Sequence, residues 1–278
     1  MTPYPLDIPS DVELQRDVQY GQADGVELRL DLARPKARGD GERLPAIIYI
    51  HGGAWQSGSK EDGVPAICYY AQNGFAAASV GYRLSGVAKF PAQIEDCKCA
   101  VRFLRAKADE YGIDPERIGA MGVSSGAHQA ALVGLSGNGD QFANKGGWET
   151  YSSEVSAVCD LSGPTDLLWS PGTNLSGSGN ARALLLGGTI DEVRGQYVKA
   201  SPVKHVHKDA PPFLIVHGEL DMVVPLRHGE ILSDALRMAG VDVQFHIVKR
   251  AGHASSEVVT PEVRVRILAF FEKWLKRK

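Results

Sequence analysis

The sequence predicts an α/β protein: a mostly parallel, eight-stranded sheet with antiparallel strands at its N-terminal end and helices on both faces. Three observations predict it. Apolar strand-like runs alternate with segments of helical period along most of the chain, the pattern of parallel strands joined by crossover helices. Near the N-terminus, Val26-Glu27-Leu28-Arg29-Leu30-Asp31-Leu32 alternates strictly between apolar and charged residues, as a half-buried antiparallel strand does. Finally, Gly122-Val123-Ser124-Ser125-Gly126 stands between the β-like run Arg117-Ile118-Gly119-Ala120-Met121 and a helix-forming segment. A G-x-S-x-G in that setting describes a sharp turn that holds a serine hydroxyl clear of the backbone.

Taken in order, residues 14–20 and 26–32 are the antiparallel pair. Residues 46–50, 75–80, 155–161 and 213–216 are nearly continuous apolar runs, expected of strands covered on both faces. Residues 117–121 and 241–248 complete the eight. Between 93 and 112, Ile94, Cys97, Val101, Leu104, Ala108 and Tyr111 recur at three- and four-residue spacing, which places them on one helix face. Gly112 supplies the stop. Residues 230–239 form a second such helix, closed by Gly240. The last begins near Pro261 and turns Ile267, Leu268, Phe271, Trp274 and Leu275 inward. Two stretches, 137–153 and 169–188, lack periodicity and are rich in Gly, Ser and Asn. Loops of such length tend to be functional, and here they are expected to overhang the carboxyl edge of the sheet, where such folds bind ligands. Neither an internal repeat nor a linker is visible, so residues 1–278 are read as one domain.

Composition narrows the function classes. A hydrophobic fraction of 44% and a charged fraction of 23% are those of an ordinary soluble protein. With 30 basic against 33 acidic residues, a net charge of −3 and no basic stripe, nucleic acid is not an expected partner. No segment approaches the roughly 18 apolar residues of a membrane span. The first residues lack the basic and apolar regions of an export signal, so the chain as given reads as cytoplasmic; a secreted chain stripped of its leader would read the same. The four cysteines, Cys68, Cys97, Cys99 and Cys159, show no zinc spacing and are read as structural thiols. Neither metal nor cofactor is expected. Oligomeric state leaves no trace in the sequence.

If Ser124 is a nucleophile, it needs a base, an acid that orients the base, and donors for an oxyanion; the competing reading is a helix-capping serine. His253, in a loop between strand 241–248 and the last helix, is the expected base. Asp221, after strand 213–216, is the expected acid, with Glu219 as its nearest rival and Asp160 and Asp166 behind. The resulting order Ser…Asp…His is that of a known hydrolase plan. His51-Gly52-Gly53-Ala54-Trp55 follows strand 46–50 directly. Its glycines let amides turn toward a substrate oxygen, so Gly52, Gly53 and Ala54, with the Ser125 amide, are the expected oxyanion donors. His51 is expected to brace that loop, and Trp55 to wall an acyl pocket. No Lys-Ser/Thr pair follows, which excludes a P-loop. Trp148 and Trp169, in the two long loops, are expected as aromatic walls for substrate. His128 is expected to pack or cap, and His205, His207 and His228 to lie at the surface.

With these parts assembled, the sequence resembles the α/β-hydrolase superfamily. Within it, the chain is similar to the group of hormone-sensitive lipase and the bifunctional acetylxylan/feruloyl esterases. The residues carrying the resemblance are 51–55, Tyr82-Arg83-Leu84-Ser85, residues 90–97, 112–118, 122–126, 211–218, and Gly252-His253. Ala54 stands where lipase-like members usually have a third glycine, Val123-Ser124-Ser125 replaces their Asp-Ser-Ala, and residues 1–32 leave too little room for their helical cap. These departures favour the carbohydrate-esterase-like branch with an open site. The resemblance implies hydrolysis of short-acyl or feruloyl esters, as small molecules or on acylated carbohydrate such as xylan, through an acyl-enzyme. The H-G-G-x-W form also resembles kynurenine formamidases, which makes an arylformamidase the alternative; a non-catalytic binding protein on the same scaffold is the third reading.

Overall fold

The computed structural model describes residues 7–37, 39, 41, 43–137, 142, 145–169, 178–253 and 258–276. Strand β1 (Val12–Ala23) and strand β2 (Val26–Pro35) form an antiparallel hairpin. Its two-residue turn is Asp24-Gly25, both with positive φ (49° and 80°), the conformation that Asp-Gly supplies most readily in a tight hairpin. β2 pairs antiparallel with β4 (Ala76–Val80). From there all pairing is parallel, through β3 (Leu44–Ile50), β5 (Ile113–Val123), β6 (Ala157–Leu161), β7 (Phe213–Gly218) and β8 (Val243–Val248). The strand order is β1-β2-β4-β3-β5-β6-β7-β8. Eight strands and an antiparallel N-terminal end are thus as the sequence predicts.

Eight α-helices are assigned among the described residues: α1 (Val64–Gln72), α2 (Ala92–Ala106), α3 (Ala108–Tyr111), α4 (Ser125–Ser136), α5 (Ser178–Leu186), α6 (Arg194–Lys199), α7 (Arg227–Met238) and α8 (Pro261–Leu275). Because side chains alternate along a strand, the central strands feed two cores. Ile48, Ala120, Val158, Phe213 and Ile215 pack with α2, α4 and α7 on one face. Ile47, Met121, Cys159, Leu214 and Val216 pack with α1 and α8 on the other. All four cysteines are free and buried. Among the described residues no helix is long and apolar enough to cross a membrane.

Three expectations change. The helix expected over 93–112 is two, α2 and α3, interrupted at Lys107, before Gly112 turns left-handed (φ 66°) and stops it. β5 begins at Ile113, earlier than the apolar run suggests, because Ile113 pairs with Leu44 ahead of a register irregularity. The stretch 169–188 contains α5, whose small and polar first turn hid its period; residues 170–177 of that stretch, and 138–141 and 143–144 of the other, lie outside the described residues.

Candidate active site

The elbow follows from backbone crowding. A Cβ on Gly126 would sit 2.0 Å from Ile50 O, and one on Gly122 would sit 2.3 Å from Gly126 O. Only glycine lets β3, β5 and α4 converge so closely. Between them Ser124 adopts φ 56° and ψ −120°, a conformation that costs a non-glycine residue about 1–3 kcal/mol. Its amide donates to Leu161 O at 2.8 Å, which ties the turn to the end of β6. The hydroxyl makes no capping bond to α4; it lies 2.8 Å from His253 Nε2.

His253 and Asp221 come from adjacent strand ends. A Cβ on Gly218 would fall 2.1 Å from Gly252 O, and Leu220 N donates to Ala251 O at 2.9 Å, so the turns after β7 and β8 are spliced together. Asp221 Oδ2 is 2.7 Å from His253 Nδ1, while Oδ1 accepts from Val223 N (2.9 Å) and Val224 N (2.8 Å). A buried carboxylate accepts, so Nδ1 carries the ring proton and the Nε2 lone pair faces the Ser124 hydroxyl, which donates to it. Burial of Asp221 opposes ionisation, but hydrogen bonds from His217 and His253 outweigh it and hold the carboxyl below the usual carboxylate range. The rival acids are engaged elsewhere. Glu219 binds Lys249 Nζ (2.7 Å) and Arg250 N (3.0 Å), Asp160 accepts from Gly163 N (2.7 Å), and Asp166 accepts from Leu168 N (3.1 Å).

Opposite the histidine stands the glycine turn after β3. Gly53, Ala54 and Trp55 all have positive φ (117°, 54° and 61°). Gly53 O accepts from both Gln56 N and Ser57 N at 3.0 Å, and a Cβ on Gly53 would strike Ser57 O at 2.1 Å. Gly52 lies against the elbow, its Cβ position 3.4 Å from Ser124 Cβ. The N–H groups of Gly53, Ala54 and Ser125 have no acceptor among the described residues. They are donors in waiting. His51 braces the turn: its ring stacks on Tyr82 (4.4 Å, 12°), and Nδ1 is 2.8 Å from Gly52 O. Burial pushes the His51 pKa down, so the ring is neutral.

A buried ion pair sets the rim beside this turn. Arg83, after β4, grips Asp96 of α2 through Nε (2.9 Å to Oδ2) and a guanidinium nitrogen (2.7 Å to Oδ1), and its amide also donates to Asp96. It reaches Asp24 at 2.5 Å as well. Ser85 N then donates to Trp55 O at 2.7 Å, docking the Arg83 loop on the glycine turn.

The aromatic expectations are mostly corrected. Trp55 is only 4% exposed; its N–H donates to His128 Nδ1 (3.2 Å) and the rings meet edge to face, so it braces the turn from beneath instead of walling a pocket. Trp148 belongs to the β1 edge. Its N–H donates to Tyr20 O (2.8 Å) and its ring packs on Phe103 of α2, four strands away from β5 in the sheet order. Trp169 is half-buried and meets the His228 ring edge to face at 5.1 Å. His228 itself, expected at the surface, is buried, with Nδ1 3.2 Å from Thr165 N. Its position on the inner face of α7 was obscured by the charged residues around it. His128 packs as expected: it is fully buried, with Nε2 2.7 Å from Ala200 O. Sequence reasoning missed His217, whose Nε2 lies 3.4 Å from Asp221 Oδ2. The available signal was its place four residues before Asp221 at a strand end.

Residues 30–236 match the BD-FAE family model. Esterase LipQ of Mycobacterium tuberculosis is 34% identical over 260 residues, covering 91% of this chain. The chain spans 59% of LipQ's own length. Among solved structures, a truncated carbohydrate esterase from gut microbiota superposes with a TM-score of 0.86 at 29% identity, covering 99% of both chains. The propionate-bound esterase Est2 of Thermogutta terrifontis superposes with a TM-score of 0.78 at 26% identity, covering 97% of both. With an elbow, a spliced Asp–His pair and a glycine turn on one sheet edge, this chain belongs to the BD-FAE family of α/β-hydrolases.

Proposed function

We propose that this protein is a serine carboxylic-ester hydrolase in which Ser124, His253 and Asp221 form the catalytic triad. The observation that carries the reading is the unbroken line from Asp221 Oδ2 through His253 to Ser124 Oγ, at 2.7 and 2.8 Å. Ser124 attacks the ester carbonyl as its proton passes to His253 Nε2. The carbonyl oxygen becomes an oxyanion held by N–H groups of the Gly52-Gly53-Ala54 turn and of Ser125. His253 returns the proton to the departing alkoxide, leaving an acyl-enzyme. Water then repeats the sequence: His253 takes its proton, hydroxide adds to the acyl carbon, and the Ser124 oxygen leaves reprotonated as the acid is released. Asp221 orients the imidazole and stabilises its cation throughout.

The substrate class we infer is a short-acyl or feruloyl ester, as a small molecule or on acylated carbohydrate. Similarity to a gut carbohydrate esterase supports the carbohydrate side, and an esterase neighbour solved with propionate supports a small acyl group. Rates on p-nitrophenyl esters of increasing chain length, acetylated xylan, methyl ferulate and N-formylkynurenine test this directly. Fastest turnover is expected on acetyl or propionyl esters and little on the formamide. Ser124→Ala should abolish turnover with the melting temperature retained or raised, since alanine removes no packing. A Ser124→Ala variant that still hydrolyses esters would remove Ser124 from the mechanism.

A further inference from the structure

Two histidines approach Asp221, and only one belongs to the triad. His217, fully buried at the end of β7, places Nε2 2.8 Å from Val224 O and 3.4 Å from Asp221 Oδ2. A carbonyl can only accept, so Nε2 carries a proton and donates it to Val224 O. Val224 ends the turn whose amides bind Asp221 Oδ1. One ring N–H therefore fastens the far end of the turn and leans on the carboxylate at its start.

The sheet register shows what stands behind this ring. Residues 213, 215 and 217 alternate onto the α4–α7 face of β7. Asp160 of β6 lies opposite Ile215 and faces the same way, its oxygens 2.7 Å from the Cβ position of Gly163, which also meets Ala127 of α4. Asp160 Oδ2, His217 Nδ1 and Ser233 Oγ are all buried, with no hydrogen-bond partner among the described residues. Ser233 sits one helical turn after Gly229 on α7, and Gly229 presses on the ring, its Cβ position 3.0 Å from His217 Nδ1.

We propose that His217 is a positioning residue for the triad acid, clamping the Asp221 turn and drawing on its carboxylate, with Asp160 as the buried acid behind it. The proposal rests on the hydrolase reading above. The groups facing His217 are Asp221 from the β7–α7 turn, Asp160 from β6 and His228 from α7, which in turn feels Arg182 of α5 and His128 of α4. Burial pushes His228 down to about 3 and His128 down to about 4, so both are neutral at working pH. Burial pushes Asp160 up to about 6, against the pull of the Gly163 amide and His217, so its charge changes across the range in which a histidine base titrates.

The signs follow from charge. A donor on Asp221 weakens its hold on the His253 proton, so removing that donor keeps His253 protonated to higher pH. In His217→Leu the acid limb of kcat/KM should therefore move up by about half a pH unit, with kcat down about tenfold or more and KM little changed. His217→Gln, whose amide can still donate to Val224 O, should recover part of both. Asp160→Asn removes a negative charge and should move the acid limb down. Opposite displacements from two neighbouring substitutions are not the signature of general loosening. A folded His217→Leu with wild-type kcat and an unmoved limb, or one that only melts earlier, overturns the proposal. If that variant does not fold, an unmoved limb in Asp160→Asn overturns it instead. Ser124→Ala run alongside separates the two readings: activity surviving there defeats the hydrolase assignment, whereas activity lost there with unmoved limbs defeats only the role of His217.

Discussion

The carboxyl edge of β3, β5, β7 and β8 and the outer edge at β1 are held by different balances of contact. At the first, backbone meets backbone: the Cβ positions of Gly126, Gly53 and Gly218 fall 2.0–2.1 Å from the carbonyl oxygens of Ile50, Ser57 and Gly252. At the second, a single backbone bond, from Gln22 N to Gly146 O at 3.0 Å beside Gly21, is joined by side chains that reach across to backbone. Trp148 donates to Tyr20 O, Arg102 donates to Gly147 O (3.1 Å) and Lys145 O (2.6 Å), and Arg105 donates to Ser152 O and Glu154 O. Close backbone contact permits one residue type and fixes geometry tightly, which suits a site whose atoms must be placed to within about half an ångström. Side-chain docking tolerates several residue types and holds a loop without dictating its sequence.

The largest expected break in this comparison is Gly126→Ala. Its methyl group would overlap Ile50 O, part of a central strand that cannot retreat, so the variant should fail to accumulate as folded protein, as read by soluble yield and circular dichroism. Wild-type folding would show that the elbow tolerates more than its spacing implies. Next comes Asp96→Ala, which leaves the buried Arg83 guanidinium without its main partner. It should lose about 3–5 kcal/mol in denaturant titration and lower activity by releasing the Ser85–Trp55 contact. The smallest effect belongs to the outer edge. Trp148→Ala should cost about 2 kcal/mol of stability and leave kcat/KM along a p-nitrophenyl ester series within about twofold. A change in acyl-length preference in that variant would place Trp148 back at the substrate site.

The same division explains which features could be read from the sequence. Ser124, Asp221 and His253 each follow a strand at the same sheet edge, so chain order and the strand pattern located them before any contact was known. The glycines of the elbow and of the turn after β3 advertised themselves because no other residue fits. Trp148 did not: a tryptophan in a glycine-rich loop looks the same whether it faces a substrate or Tyr20 O. Trp55 was placed in the correct turn but on the wrong side of it, since positive φ at three consecutive residues aims the ring inward toward His128. The Arg83–Asp96 pair was visible only as two separate motifs, because a crossover through α2 joins them. His228 and His217 are the instructive failures. His228 lies on the inward face of α7 among charged neighbours that hide its burial, and His217 carried only its place at a strand end four residues before Asp221.

The central claim is that Ser124 is an activated nucleophile, and covalent labelling tests it most directly. Treatment with an alkyl fluorophosphonate, followed by intact mass and peptide mapping, should give one adduct on the peptide containing Ser124. Labelling should vanish in Ser124→Ala and slow sharply in His253→Ala, which removes the proposed base. A folded, unlabelled protein, or an adduct on any other residue, would contradict the account.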